Sequence, residues 1–286
     1  MRFSIITPSF RQLGWLQRCA RSIADQTGVE VEHIIQDAGT GPELDAWVRN
    51  HTRAQLHVEK DAGMYDAINR GMDRATGDLM AFLNCDEQYL PGTLEAVTAM
   101  FAAHPETDLI VGDFLILDPA AKLLSFRRVT PLRRLFLATD HLYAFTCATF
   151  FRRKIWDAGI RYQTQFKAVA DGRWLFDVLD HGFRPRNLRR FLSIYTDTGV
   201  NLGVGTVGQE ERKGWFATLP RWQRLLAPVF RRLRQVEKYL AGGYASRPIA
   251  YEVYASDDAE ARTRFLCEKP SGRYQIGPPA SPAGAS

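Results

Sequence analysis

"DAGMYDAINRGMDRATGDLMAFLNCDEQYLPG", residues 61–92, decides the fold. "DAG" is a turn, "MYDAINRGMDRA" a helix, "TGD" its stop and "LMAFLN" a strand. The strand runs straight into two adjacent carboxylates, Asp86 and Glu87, with Pro91 and Gly92 close behind. Like charges side by side repel, and neither is buried cheaply. Either solvent or a positive partner has to hold them.

The same alternation extends in both directions. Upstream, "RFSIIT" is a β-branched apolar strand ended by "PSF". Apolar positions Leu13, Leu16, Cys19, Ala20 and Ile23 then recur at helical spacing. "VEHIIQ" is a second strand, "PELDAWVRN" a short helix with Pro42 in its first turn, and "AQLHVEK" a third strand. Downstream, "TLEAVTAMFAAH" is a helix and "DLIVGD" a fifth strand. Strands alternating with helices of this length predict an α/β fold: a mostly parallel sheet with helices on both faces. Ligands in such sheets sit at the carboxyl ends of the strands. Those ends carry Thr7-Pro8, Asp37, Asp61, Asp86-Glu87 and Asp113, a rim that reads as a site.

Beyond Asp113 the pattern changes. "FLILDPAAKLLSFRRV" predicts a hairpin around Asp118-Pro119, "FTCATFFRR" a strand, "AVADGRWLFDVLDHG" a helix and "RNLRRFLSIYT" a late strand. The predicted organisation is an alternating half over 1–113, a second half of different pattern over 114–205, a basic helical extension over 206–242 and a tail over 243–286. The tail is expected to lose order from about Gly277.

The 286 residues are 45% hydrophobic and 24% charged, enough for a sizeable core. The net charge of +5 is unevenly spread: between Arg212 and Lys238, Glu237 is the single acid. Four scattered cysteines (Cys19, Cys85, Cys147, Cys267) without a CxxC pair argue against a zinc site or a disulfide framework, and fit a reducing cytoplasm. No uninterrupted apolar window is long enough to span a membrane, and the N-terminus lacks signal-peptide features. There is no GxxxxGK[ST], and no GxGxxG follows a strand, so a P-loop enzyme and an ordinary dinucleotide dehydrogenase are both set aside.

"SIITPSF", "HIIQDAGT", "DAGMYDAINRGMDRATGD" and "FLNCDE", in this order and spacing, resemble the family 2 glycosyltransferases of the GT-A fold. The resemblance covers about residues 2–200 and implies inverting transfer of a sugar from a nucleotide diphosphate, with UDP the expected nucleotide, and Mn²⁺ or Mg²⁺ as cofactor. It implies that Thr7 and Pro8 line the nucleoside pocket and that Asp37 hydrogen-bonds the uracil or ribose. Asp61, Gly63 and Tyr65 match the turn over the base, Asp66 and Asn69 follow on its helix, and Arg70 is a phosphate partner. Asn84, Cys85 and Asp86 occupy the family's D-x-D metal motif; with Asn84 in place of the first acid, Asp86 carries most of the burden. The family's general base matches Asp171 in "KAVADGRWLF". His141, Arg173 and Glu87 are assigned to the acceptor side.

Each assignment has a plainer alternative from the residues themselves. Asp86 fits an acidic turn before a helix at Thr93. Thr7 fits a strand end, Asp37 a turn with Gly39, Tyr65 the core, and Asp171 a helix cap. Two other functions stay open: a sugar-nucleotide nucleotidyltransferase, which would be expected to carry a Gly-rich basic loop where "TPSFRQLGW" stands, and a non-catalytic saccharide-binding or scaffold protein.

The segment "GWFATLPRWQRLLAPVFRRLRQVEKYLAGG" is a basic amphipathic helix, with Pro228 expected to kink or split it. Trp222, Leu225, Leu226, Val229, Phe230, Leu233 and Val236 recur near helical spacing between arginines. Residues 215–238 therefore suit an anionic membrane surface, and alternatively packing on the domain or on a second subunit. Together with the resemblance, this points to a saccharide or lipid-linked saccharide acceptor in surface polysaccharide biosynthesis, met at the inner face of a bacterial membrane by a cytoplasmic, peripheral enzyme. Nucleic acid is not an expected partner; an oligomer is left open.

Overall fold

The computed structural model describes residues 1–140, 142–199 and 205–273. The first half alternates as expected: β1 (Arg2–Ser9), α1 (Leu13–Ala24), β2 (Glu30–Asp37), α2 (Pro42–His51), β3 (Gln55–Val58), α3 (Met64–Arg74) and β4 (Leu79–Phe82). A short β5 (Glu87–Tyr89) follows, then α4 (Thr93–Ala103), β6 (Leu109–Leu117) and β7 (Leu123–Arg127). The second half holds α5 (Arg134–Thr139), a 3₁₀ turn at Thr146–Ala148, β8 (Thr149–Arg152), α6 (Arg153–Asp157), α7 (Ala170–Asp180) and β9 (Pro185–Thr196). Last come α8 (Thr206–Thr218), α9 (Arg221–Leu240), β10 (Ile249–Val253) and β11 (Thr263–Cys267).

The main sheet runs β3-β2-β1-β4-β8-β6-β9-β5, with β7 beside β6. β3, β2, β1 and β4 are parallel. β8 lies antiparallel between β4 and β6, and β6 pairs with β9 in parallel. The side-chain period of two splits the core into two layers. Phe3, Ile5, Leu79 and Ala81 pack with α1 and α4, whereas Ile6, Met80 and Phe82 pack with α3 and α7. Two glycines permit this close approach: a Cβ on Gly71 would meet the Ile6 side chain at 2.6 Å, and one on Gly77 the Arg2 carbonyl oxygen at 2.7 Å.

Several elements differ from the sequence expectation. Asp113 is not at a strand end: β6 continues to Leu117, and the Asp113 carboxylate is buried against Arg128 at 2.6 Å and the Val129 amide at 2.7 Å. It therefore leaves the acidic rim. Pro228 sits inside one continuous α9. The break falls earlier, where Leu219 takes the extended conformation (ψ 149°) that a following proline favours. Past Gly242, β10 and β11 pair antiparallel, and Ile249, Tyr251 and Val253 pack on Leu115, Phe126 and Ile194. His141 and the stretch from Gly277 lie outside the described residues.

Candidate active site

A cavity of about 1510 Å³ opens at the carboxyl ends of β1 and β4 and continues to α5, α7, α8 and α9. Its first end is the rim foreseen from the sequence. Pro8, Asp61, Gly63, Tyr65, Asn84, Cys85, Asp86 and Glu87 all line it. Glycine at 63 is required by its backbone, with φ at 128° immediately before α3. The Asp61 carboxylate accepts from the Gly63 amide at 2.9 Å, which fixes this turn.

Other expected residues stand behind this surface. Thr7 is buried, with its Oγ1 3.0 Å from His33 Nε2. Asp37 accepts from the amides of Gly39 and Thr40 at 2.8 and 2.7 Å, and so shapes the loop whose Ala38 lines the cavity. Asp66 accepts from the Ala62 amide at 3.0 Å and pairs with Arg70 at 2.8 Å. Asn69 clamps the Tyr162 backbone with bonds of 2.8 and 3.1 Å. These residues brace the rim from behind without lining the cavity.

The adjacent carboxyls of 86 and 87 are in different states. Glu87 is buried, accepts from the Asn84 amide at 2.9 Å, and is pushed up to about 8 by burial and then by the Asp86 charge. At neutral pH it is protonated, so it does not double the charge beside it. Asp86 is half-buried and raised to about 6 by burial, partly offset by a backbone hydrogen bond. Next to it the buried Asn84 Oδ1 has no hydrogen-bond partner. Cys85 turns its thiol to the Pro8 carbonyl at 3.0 Å. A hard divalent cation takes oxygen ligands, and one or two protein carboxylates suffice when phosphates supply the rest. Asp86 with the orphaned Asn84 oxygen fits that requirement. Among the described residues no three His, Cys, Asp or Glu side chains gather into a metal cluster, so protein groups alone form no complete cage.

Asp171 lies on the cavity wall in the first turn of α7. It is not the cap: Val169 holds that position, and no side chain caps the helix. The Asp171 carboxylate accepts from the Gly172 amide at 2.7 Å. Burial raises it to about 6; hydrogen bonds, one of them from Tyr65, and the Arg212 charge offset part of the rise. Tyr65 thus links the two ends of the cavity, stacked on Tyr162 with ring centroids 6.0 Å apart. Arg173 points elsewhere, toward Asp177 at 3.6 Å and the rings of Phe176 and Trp215.

The C-terminal helices form a wall of this cavity, a role the sequence reading missed. Trp215 of α8 packs edge-on against Phe176, with centroids 5.6 Å apart, and belongs to the core instead of a lipid-facing surface. Arg231, Arg234 and Lys238 of α9 line the cavity. At 3.6 residues per turn, the opposite side of α9 carries Trp222, Leu225, Leu226, Val229, Leu233 and Val236, all exposed. Periodicity showed two faces and could not tell which one met the domain. No described helix is long and apolar enough to cross a membrane.

The family model "Glycosyl transferase family 2" matches residues 4–159. A "PGL/p-HBAD biosynthesis glycosyltransferase" of Mycobacterium bovis is 32% identical over 184 residues, covering 62% of this chain and 68% of the relative. Among solved structures, S. aureus TarS 1–349 in complex with UDP has a TM-score of 0.59 at 16% identity, over 85% of this chain and 75% of that one. The mannosyltransferase PcManGT from Pyrobaculum calidifontis, in complex with GDP-Man and Mn²⁺, has a TM-score of 0.51 at 12% identity, over 82% and 75%. At those identities the structures speak to the fold, which is the GT-A type expected from the sequence.

Proposed function

Since this chain belongs to glycosyl transferase family 2, we propose that it is an inverting enzyme that moves a sugar from a UDP-sugar to a saccharide or lipid-linked saccharide acceptor. One observation carries the reading: a single cavity holds two carboxyls raised to about 6, one from each half of the fold. Paired titratable groups with distinct environments are how such sites divide roles. The complexes of TarS with UDP and of PcManGT with GDP-Man and Mn²⁺ support a nucleotide and a metal.

Asp86 and the Asn84 oxygen would hold the cation, which when bound neutralises charge on the leaving diphosphate. Pro8, the Asp37-shaped loop and the Asp61–Tyr65 turn enclose the nucleoside. Asp171 takes the proton from the acceptor hydroxyl, which is a poor nucleophile until that proton is leaving. A base on the face of the sugar opposite the diphosphate gives in-line attack and inversion. With its carboxyl near 6, Asp171 is mostly ionised at neutral pH and close to the optimum for a base.

A thermal-shift panel of nucleotides with and without Mn²⁺ tests the donor end. UDP with Mn²⁺ raises the melting temperature of the native chain by mass action, and Asp86→Ala abolishes the Mn²⁺-dependent part. An Asp86→Ala shift equal to the native one removes Asp86 from the metal site; equal shifts by UDP and GDP remove uridine selectivity.

A second feature extends the reading. The outward face of α9 is apolar and is flanked by the exposed cations Arg221, Arg224 and Arg232. That chemistry matches an anionic lipid surface, and it supports a peripheral site of action on the membrane that supplies the acceptor.

A further inference from the structure

The entry to α7 is held by a carboxylate from another helix. Glu211 of α8 accepts from the backbone amides of Lys167 and Ala168, at 2.7 and 3.0 Å, one on each oxygen. These amides stand just ahead of Val169, the N-cap residue, and Asp171 follows in the first turn. Trp215 lies one turn further along α8, on the same face as Glu211. Its ring packs edge-on against Phe176, and a Cβ on Gly172 would stand 3.6 Å from it. One face of α8 thus grips the chain on both sides of Asp171.

The two amide bonds matter because of where they fall. No side chain caps α7, and an uncapped helix start is a place where backbone order is lost first. An amide bonded to a carboxylate is held roughly twice as strongly as one bonded to a neutral acceptor. A carboxyl on the first turn moves with that turn, and misplacing a reacting group by about 1 Å costs on the order of 10²-fold in rate. Glu211 does not line the cavity. It meets neither donor nor acceptor there, so its route to the chemistry runs through Asp171.

We propose that Glu211 is the positioning residue of Asp171: through the amides of Lys167 and Ala168 it fixes the entry of α7, and so keeps the Asp171 carboxylate in place on the cavity wall and shielded from water. The inference rests on the reading that Asp171 is the base. The titratable and charged groups that face Asp171 are Tyr65 from α3, Tyr162 from the loop ahead of α7, Glu87 from β5 and Arg212 from α8. Substitution at 211 leaves all four in the chain.

The full chain, isotope-labelled at its aspartate carboxyls, is titrated by NMR, with the Asp171 signal assigned by its loss in Asp171→Asn. In Glu211→Ala the Asp171 carboxyl is expected to fall from about 6 toward the ordinary 3.8, because the freed entry admits water. Asp86 stays near 6 as the internal control. Glu211→Gln removes the charge but keeps an acceptor for one amide, and moves Asp171 by less than half as much. Should Glu211→Ala fail to fold, Glu211→Asp, which draws the carboxylate back by one methylene, replaces it with the same expectation. Hydrolysis of UDP-glucose, UDP-galactose and UDP-N-acetylglucosamine with Mn²⁺ supplies the kinetic half. Glu211→Ala lowers kcat roughly tenfold or more with KM within about twofold, and adds less than about twofold to the loss already caused by Asp171→Asn. An Asp171 signal that titrates in Glu211→Ala as in the native chain, an equal fall in Glu211→Gln, or the full kinetic loss persisting beside Asp171→Asn overturns the proposal. A moved signal together with native-rate hydrolysis by Asp171→Asn instead overturns the base reading, and leaves Glu211 as the residue that positions this carboxyl.

Discussion

At the scale of single residues, the adjacent acids that lie between β4 and the start of β5 are resolved by unequal burial. Glu87 is buried beneath the rim and neutral at pH 7, which leaves Asp86 as the charge offered to the cavity. This has a consequence for stability. The Glu87 carboxyl ordinarily titrates near 4.5 and in the fold near 8. As pH rises through 4.5 the unfolded chain ionises first, so native stability falls until about pH 8 and is flat above. Glu87→Gln keeps an acceptor for the Asn84 amide and cannot titrate. Relative to the native chain it is expected to gain stability progressively between pH 4.5 and 8, reaching on the order of 5 kcal/mol. Urea denaturation across that range measures it, and a difference independent of pH would refute the assignment. The sequence shows the two acids and their repulsion. It does not show which one is covered, because that depends on β5, three residues long and paired to Tyr195 and its neighbours more than a hundred positions away.

At the scale of elements, the parallel half was legible and the mixed half was not. β1 to β4 follow the chain in local βα units, and each carries its own apolar run and turn signal. β8 enters between β4 and β6 from far along the sequence, a non-local pairing that no local pattern announces. The same limit explains α9. Its two faces were plain, but the domain takes the cationic one, with Arg234 buried and Leu225 79% exposed. The outward face is therefore open to substitution without loss of packing. Leu225→Gln/Leu233→Gln is expected to reduce binding to anionic vesicles at low salt by at least tenfold and to leave the melting temperature and UDP affinity unchanged. Salt weakens the native attachment by screening. Co-sedimentation decides the matter, and equal binding by native and variant chains, or no binding by either, would exclude lipid as the partner of this face.

At the scale of the whole molecule, the fold brings Asp86 from the first half of the chain and Asp171 from the second to one cavity. The rim at β1, β3 and β4 was readable because strand ends are local. Asp171 was found through its motif, and the motif could not say whether it capped a helix; the structure gives the cap position to Val169. The wall built by α8 and α9 escaped notice because tertiary packing alone brings residues past 205 back to the strand ends. The central claim is that Asp171 is the base of an inverting transfer. Its most direct measurement is an NMR time course of sugar release from an α-linked UDP-sugar, with water as acceptor, by the native chain and by Asp171→Asn. The substitution preserves size and can still accept from Gly172. The account predicts that the native chain releases the β-anomer first, and that Asp171→Asn is slower by roughly 10²–10⁴-fold while it binds UDP normally. Release of the α-anomer first, or near-native release by Asp171→Asn, would contradict it.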